Sequence, residues 1–137
     1  VRMGGGHNHR MNLADGILIK DNHIAALKAK GFSLTESVRL ALAGAPHTLK
    51  VEVEVETIEQ ARQALEGGAH ILMLDNMSLT DMKEAAALAK GKALTEASGG
   101  INLATVLAAA ETGVDLISVG ALTHSVEALD LSLDFET

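Results

Sequence analysis

The sequence predicts an α/β fold made of consecutive βα units running in parallel, and three observations predict it. Four short apolar runs, Val51 to Val55, Ile71 to Leu74, Ala93 to Ala97 and Leu116 to Val119, recur about every 22 residues. Each has the length and composition of a strand. Between them lie segments that open on helix-capping residues and close on glycine. Strands alternating with amphipathic helices imply a parallel sheet with right-handed crossovers, and this repeat suits a barrel or an open sheet equally well. An eightfold barrel takes about 250 residues; with 137 the chain cannot close one by itself.

In chain order, Val1 to Gly6 reads as the end of a strand running into a glycine loop, as though cut from something longer. Gly16 to Lys20 reads as the first complete strand, and Ser33 with Glu36 forms a capping box opening a helix that ends near Gly44. The second strand is Val51 to Val55, followed by a helix from Thr57 and Gln60 to Gly67 and Gly68. Ile71 to Leu74 leads into a helix entered at Ser78 and Asp81 and closed at Gly91. Ala93 to Ala97 leads to an Ala-rich helix headed by Asn102 and closed at Gly113. Leu116 to Val119 is the last strand, the fifth. One domain spans residues 1–137, with no internal linker or low-complexity segment.

Composition excludes several classes. Apolar residues make up 47% of the chain, which fits a globular domain and not a disordered tail. The 11 basic against 18 acidic residues leave a net charge of -7, so nucleic acid is not an expected partner. No apolar run approaches the roughly 20 residues of a membrane span, and no membrane role is expected. Without cysteine there is neither a disulfide framework nor a thiolate metal site, and a cytoplasmic location is expected. The only aromatic rings are Phe32 and Phe135, too few to stack a ligand.

The chemistry-bearing residues fall at strand ends. In Lys50 to Glu56 strand alternation puts Glu52, Glu54 and Glu56 on one face and three valines on the other. On an edge strand those carboxylates would simply face water. In a βα barrel they face the interior, where carboxylates are costly unless they hold a cation or a ligand. Asp75 and Asn76 end the next strand, at the end where parallel α/β folds bind ligands, though they could equally start the turn before Ser78. Glu54 and Asp75 on neighbouring strands suit a hydrated magnesium, which takes one or two carboxylates and completes its shell with water and phosphate.

Ser98, Gly99 and Gly100 close one strand, and Val119, Gly120 and Ala121 close the next, with His124 just beyond. Two glycine loops on consecutive strands let backbone N–H groups approach a sugar phosphate. The cations gather near the start, in Gly4-Gly5-Gly6-His7-Asn8-His9-Arg10 and Lys20-Asp21-Asn22-His23. Arg10 could grip a carboxylate in bidentate fashion, and Lys20 would add a second positive charge. His7 and His9 invite a metal reading, but sequence spacing offers them no third ligand. Cations at one end, carboxylates in the middle and phosphate loops at the other suit phosphoribosyl transfer. There pyrophosphate leaves with metal help while positive charge grows on the ribose.

The runs Gly4-Gly5-Gly6-x-Asn8-His9-Arg10, Leu18-Ile19-Lys20-Asp21-Asn22-His23, Val51-Glu52-Val53-Glu54-Val55, Leu74-Asp75-Asn76, Glu96-Ala97-Ser98-Gly99-Gly100 and Val119-Gly120-Ala121-Leu122-Thr123-His124 resemble the quinolinate phosphoribosyltransferases, in order and spacing. The resemblance runs from Val1 to about Leu133. It implies an open, TIM-like α/β barrel with fewer than eight strands, of which this chain is the C-terminal portion. It also implies that an N-terminal α/β domain and the first part of the barrel lie outside the chain. The reaction implied joins quinolinate to 5-phosphoribosyl-1-pyrophosphate, releasing carbon dioxide and pyrophosphate and giving nicotinate mononucleotide for NAD synthesis.

Carried over by position, His9, Arg10 and Lys20 would contact quinolinate. Glu54 and Asp75 would hold the ribose and its magnesium, the metal through water. Ser98, Gly99, Gly100, Val119, Gly120, Ala121 and His124 would surround the 5-phosphate. The resemblance further implies a homodimer or larger homo-oligomer whose neighbouring subunit helps cover the barrel mouth, so the 137-residue chain alone is expected to be weakly active or inactive. Asn12 stands where the family more often has glycine. Rival readings are a related phosphoribosyltransferase-like protein with another aromatic acid as acceptor, and a non-catalytic structural or oligomerising fragment. Glu52, Glu56, His7 and Asn12 receive no role at this level.

Overall fold

The alternation of apolar strands with capped helices is realised as a five-stranded parallel sheet in a computed structural model that describes residues 1–135. The elements are β1 (Ile17–Ile19), α1 (Asp21–Ala29), α2 (Leu34–Gly44), β2 (Val51–Val55), α3 (Ile58–Gly67), β3 (Ile71–Asp75), α4 (Leu79–Ala89), β4 (Leu94–Ser98), α5 (Val106–Ala110), β5 (Leu116–Ile117) and α6 (Ala121–His124). Strand order follows chain order, and every pairing is parallel. Consecutive neighbours without a reversal are the topology of a winding barrel wall. Among the described residues β1 and β5 remain its two free edges.

Register divides the strands between two faces. Val51, Val53 and Val55 of β2, with Leu72 and Leu74 of β3, have no exposed surface and pack against Val38, Ala61, Ala64, Met82 and Ala85 of the helices. Burying each such Val or Leu contributes about 1.5–3 kcal/mol. The other face carries Glu52 and Glu54, then Met73 and Asp75, then Glu96 and Ser98, in pairs set by Glu54↔Met73, Met73↔Glu96 and Asp75↔Ser98. Met73 is buried yet lies outside the helix-facing core cluster, as its parity requires.

Local chemistry starts the helices. Ser33 caps α2 with a reciprocal bond from Glu36, and Thr57 does the same for α3 with Gln60. Ser78 accepts the Asp81 N–H at the head of α4. Gly68, at φ 94°, closes α3 in the left-handed conformation that a side chain would resist. Gly67 serves closeness instead, since a Cβ there would lie 2.7 Å from the Val38 Cβ and 2.9 Å from the Thr35 carbonyl oxygen of α2.

Several expectations need correction. Val1 to Gly6 is not the end of a strand: Arg2–Gly4 forms a 3-10 turn, with the Gly4 and Gly5 N–H groups donating to the Val1 and Arg2 carbonyls. The helix expected from Asn102 starts at Val106, because the Asn102 side chain accepts the Ala104 N–H and holds residues 102–105 in a turn. The strand expected from Leu116 to Val119 ends at Ile117. Helix α1 was not anticipated, since Lys20 at its cap is not a usual capping residue; His23 Nδ1 accepts the Lys20 N–H at 3.0 Å and supplies the return bond. No described helix is long and apolar enough to cross a membrane.

Candidate active site

Strand parity and strand ends place two adjoining clefts on the interior side of the sheet. The larger, about 990 Å³, lies between residues 6–10 and the interior wall and is lined by His9, Arg10, Glu52, Glu96 and Ser118 among others. The smaller, about 400 Å³, sits over the C-terminal strand ends, with Asp75, Ser98, Gly99, Gly100, Ala121 and His124 in its lining. Ser118 and Gly120 line both, which makes the clefts contiguous.

His9 and Arg10 reach the larger cleft on a loop fixed by Asn12 and Asp15. The Asp15 carboxylate accepts the Met11 N–H at 2.8 Å and the Asn12 amide at 3.0 Å, while Asn12 Oδ1 accepts the Ala14 N–H at 2.7 Å. The asparagine thus holds its own loop in shape. Arg10 makes no ion pair among the described residues, which leaves its guanidinium available to an anion. His7 lines the same cleft.

His9 meets two carboxylates that sequence reading left without a role. Its Nε2 lies 2.9 Å from Glu52 Oε2 and 3.7 Å from Glu96 Oε1. Glu52 and Glu96 come from β2 and β4, both at interior parity and both nearly inaccessible. The Ser118 hydroxyl donates to Glu96 Oε1, whereas Glu52 Oε1 is buried without a hydrogen-bond partner. Burial, reinforced by the neighbouring Glu96 charge, pushes the Glu52 carboxyl above the usual carboxylate range, with His9 acting in the opposite sense. The fold does not bring His7 and His9 together around a third ligand; among the described residues it instead brings donor atoms of His9, Glu52 and Glu96 within 4.8 Å of one another, without His7.

Lys20 and Glu54 belong to neither lining and pair with each other, Nζ to Oε2 at 3.3 Å. Lys20 ends β1 and Glu54 sits on the adjacent β2, so the pair spans two strands near their C-terminal ends. Glu56, third of the alternating glutamates, is exposed. Asp75 is held by its neighbour: Asn76 Nδ2 donates to Asp75 Oδ2 at 2.9 Å, and the Asn76 N–H donates to the Ser98 carbonyl at 3.1 Å. Asn76 adopts φ 52° to do this. Gly99 makes the arrangement possible, because a Cβ there would fall 2.3 Å from Asn76 Oδ1.

The second glycine loop is equally tight. A Cβ on Gly120 would lie 2.9 Å from His124 Nε2, so its absence lets the imidazole pack over the loop. His124 Nδ1 and Ser125 Oγ are 2.8 Å apart, which orients the ring. Val119 lines the larger cleft rather than the smaller one. With the helix after Gly99 and Gly100 delayed to Val106, an anion here would be met by loop N–H groups rather than by a helix end.

Chemically, the larger cleft offers the Arg10 guanidinium and the His9 imidazole, backed by the Glu52 and Glu96 carboxyls, beside a small glycine-lined pocket with one carboxylate at its rim. A planar anion fits the first and a phosphate the second. The chain's residues 1–134 match the family model described as "Quinolinate phosphoribosyl transferase, C-terminal domain". The chain is 48% identical over 134 residues to a probable nicotinate-nucleotide pyrophosphorylase (carboxylating) of Bacillus subtilis, covering 98% of this chain and 45% of the relative. It is 45% identical over 152 residues to the mitochondrial quinolinate phosphoribosyltransferase (decarboxylating) 2 of Nicotiana glauca, covering 100% of this chain and 43% of that one. The solved nicotinate-nucleotide pyrophosphorylase of Ehrlichia chaffeensis superposes with a TM-score of 0.89 at 37% identity, over 98% of this chain and 47% of its own. The chain spans about half the length of the curated relatives it matches.

Proposed function

Because the chain belongs to the quinolinate phosphoribosyl transferase C-terminal domain family, we propose that it is the barrel portion of an enzyme that joins quinolinate to 5-phosphoribosyl-1-pyrophosphate with loss of carbon dioxide and pyrophosphate. The product, nicotinate mononucleotide, serves NAD synthesis. One observation carries the reading: the cation-bearing cleft and the glycine-lined cleft share Ser118 and Gly120, so an aromatic acid in one abuts a sugar phosphate in the other.

In this reading Arg10, His9 and Lys20 bind the two carboxylates of quinolinate and set its ring nitrogen toward the ribose. Holding two reactants in that relation removes much of the entropic barrier to their reaction. The loops at Ser98, Gly99, Gly100, Val119, Gly120 and Ala121, with His124, receive the 5-phosphate. Asp75 and Glu54 face the ribose, where carboxylates stabilise the positive charge that grows as pyrophosphate departs. Their donor set fits magnesium: two carboxylates on adjacent strands, one steadied by an asparagine amide and the other by a lysine that a cation would release. Bound there through water, magnesium would neutralise charge on the leaving pyrophosphate.

The reading carries with it an N-terminal α/β domain completing the protein, a homodimer or larger homo-oligomer covering the barrel mouth, and a cytoplasmic location. The open edges β1 and β5 and the half-exposed interior leucines Leu94 and Leu116 support a completing partner structure. The test is release of labelled carbon dioxide from carboxyl-labelled quinolinate by the full-length gene product. Release should require phosphoribosyl pyrophosphate and magnesium, and fall at least about a hundredfold in Lys20→Ala. Equal release from the variant, or dependence on neither co-substrate, would reject the assignment.

A further inference from the structure

Glu52 and Glu96 have no part in the chemistry described above, and their surroundings leave them incompletely answered. Their exposures are 6% and 4%, and no lysine or arginine pairs with either among the described residues. Lys20, the cation on the neighbouring strand, is engaged by Glu54. Carboxyls this far from water are costly unless a positive group or a full set of hydrogen bonds meets them. His9 meets one oxygen of Glu52, and the Ser118 hydroxyl meets one oxygen of Glu96. Glu52 Oε1 is left buried without a hydrogen-bond partner. Sharing its carbon with Oε2, which touches His9, it borders the point where the three side chains converge.

We propose that His9, Glu52 and Glu96 form a site for a divalent transition-metal ion of the zinc class, one step deeper along the strands than the magnesium position assigned to Glu54 and Asp75. His9 Nε2 lies 2.9 Å from Glu52 Oε2 and 3.7 Å from Glu96 Oε1. An ion with bonds of about 2.0–2.2 Å sets its neighbouring donors roughly 3–3.6 Å apart, so small side-chain movements bring all three into its shell. A dication offsets both carboxylate charges and gives Glu52 Oε1 a partner beside Oε2. Donor chemistry selects the ion, because imidazole suits zinc and its neighbours whereas magnesium keeps to oxygen. The Ser118 hydroxyl on Glu96 is the kind of outer-shell bond that fixes a ligating carboxylate. His9, with a side chain one-third exposed, lines the larger cleft, so the ion enters from there and its remaining coordination position faces the cleft. Arg10 lines the same cleft, and a carboxylate taking that position would meet guanidinium and ion together. This last step rests on the proposed function, which puts an aromatic acid in this cleft.

Zinc retention by the full-length protein tests the site, measured by metal analysis after equilibrium dialysis in excess magnesium. The wild type should retain one zinc per chain, and Asp75→Asn and His7→Ala should retain it equally. Ser118→Ala should weaken retention about tenfold or more, and His9→Ala and Glu96→Gln should abolish it. No retention by the wild type overturns the proposal, as does equal retention by His9→Ala. So does loss in Asp75→Asn, because the ion would then occupy the magnesium position. If Glu96→Gln does not fold, His9→Ala, altered at an exposed loop position, decides. Cobalt in place of zinc reads the open position: benzene-1,2-dicarboxylate, which lacks a chelating ring nitrogen, should shift its absorption bands. Unmoved bands with the dicarboxylate bound overturn the open position, whereas failure of the dicarboxylate to bind counts against the acid cleft. Retention needs no turnover, so the site stands or falls independently of the proposed function.

Discussion

Replacing Gly99 by alanine should damage stability and the ribose-phosphate site together, through one contact. Gly99 has φ +84°, a conformation that costs a residue with a Cβ about 1–2 kcal/mol. The new methyl would lie 2.3 Å from Asn76 Oδ1, 2.5 Å from its Cγ and 2.7 Å from its backbone nitrogen. Relief of such overpacking typically costs about 1–3 kcal/mol, so the substitution should destabilise by about 2–5 kcal/mol in all. The side chain of Asn76 can swing away, but its amide then releases Asp75, to which it donates at 2.9 Å. Magnesium-dependent affinity for phosphoribosyl pyrophosphate should fall about tenfold, the worth of one hydrogen bond to a charged group. Thermal unfolding and isothermal titration of the full-length protein read the two effects. Asn76→Gly, which suits the φ of 52° at that position, should recover the side-chain share of the stability loss when combined with Gly99→Ala. The backbone share should remain. Strict additivity of the two substitutions within about 0.5 kcal/mol, or a Gly99→Ala protein as stable as the wild type, would refute the reasoning.

Three other outcomes can be checked on the same protein. Thr57→Ala removes the cap of α3 and should cost about 1 kcal/mol in urea unfolding, because the Gln60 N–H loses its acceptor at 3.2 Å. Gly67→Val should cost about 1–3 kcal/mol by forcing α3 off α2, where the Thr35 carbonyl stands 2.9 Å from the added Cβ. Hydrogen bonds from the Ser33 backbone and hydroxyl hold the Glu36 carboxyl below its ordinary value of 4.5. The unfolded chain then binds that proton more readily. The contribution is therefore present above the ordinary value and lost as pH falls through the lowered one, and Glu36→Gln should flatten that part of the acid limb.

How far the sequence alone reaches can be traced along two strands. In β2 the period-two run Val51-Glu52-Val53-Glu54-Val55 shows its faces outright, because a half-polar strand in a parallel sheet has one way to bury its valines. The capping boxes at Ser33 and Thr57 are equally visible, since both partners lie three residues apart. What is invisible depends on distance along the chain. His9 and Glu52 are 43 residues apart, and Ser118 and Glu96 are 22 apart. Parallel pairing of β4 with β5 brings Ser118 beside Glu96, and the fold of the loop over the interior wall brings His9 to Glu52. The late start of α5 is hidden for the opposite reason: Asn102 can head a helix or close a turn, and the Thr105 hydroxyl accepting the Asn102 N–H tips the balance to the turn.

A signal for Glu96 was nevertheless present in strand parity. Once Ser98 is assigned to a ligand-facing strand end, the residue two positions earlier must share its face, and that residue is charged. The same step from Glu54 leads to Glu52, whereas from Asp75 it leads to Met73, an apolar residue that needs no partner. Two acidic residues one step below the ligand layer, on strands separated by a third, can meet only if the sheet closes toward a barrel. A carboxyl at that depth has no water to solvate it. It must therefore lean on whatever crosses the interior, and the loop carrying His9 is what crosses there.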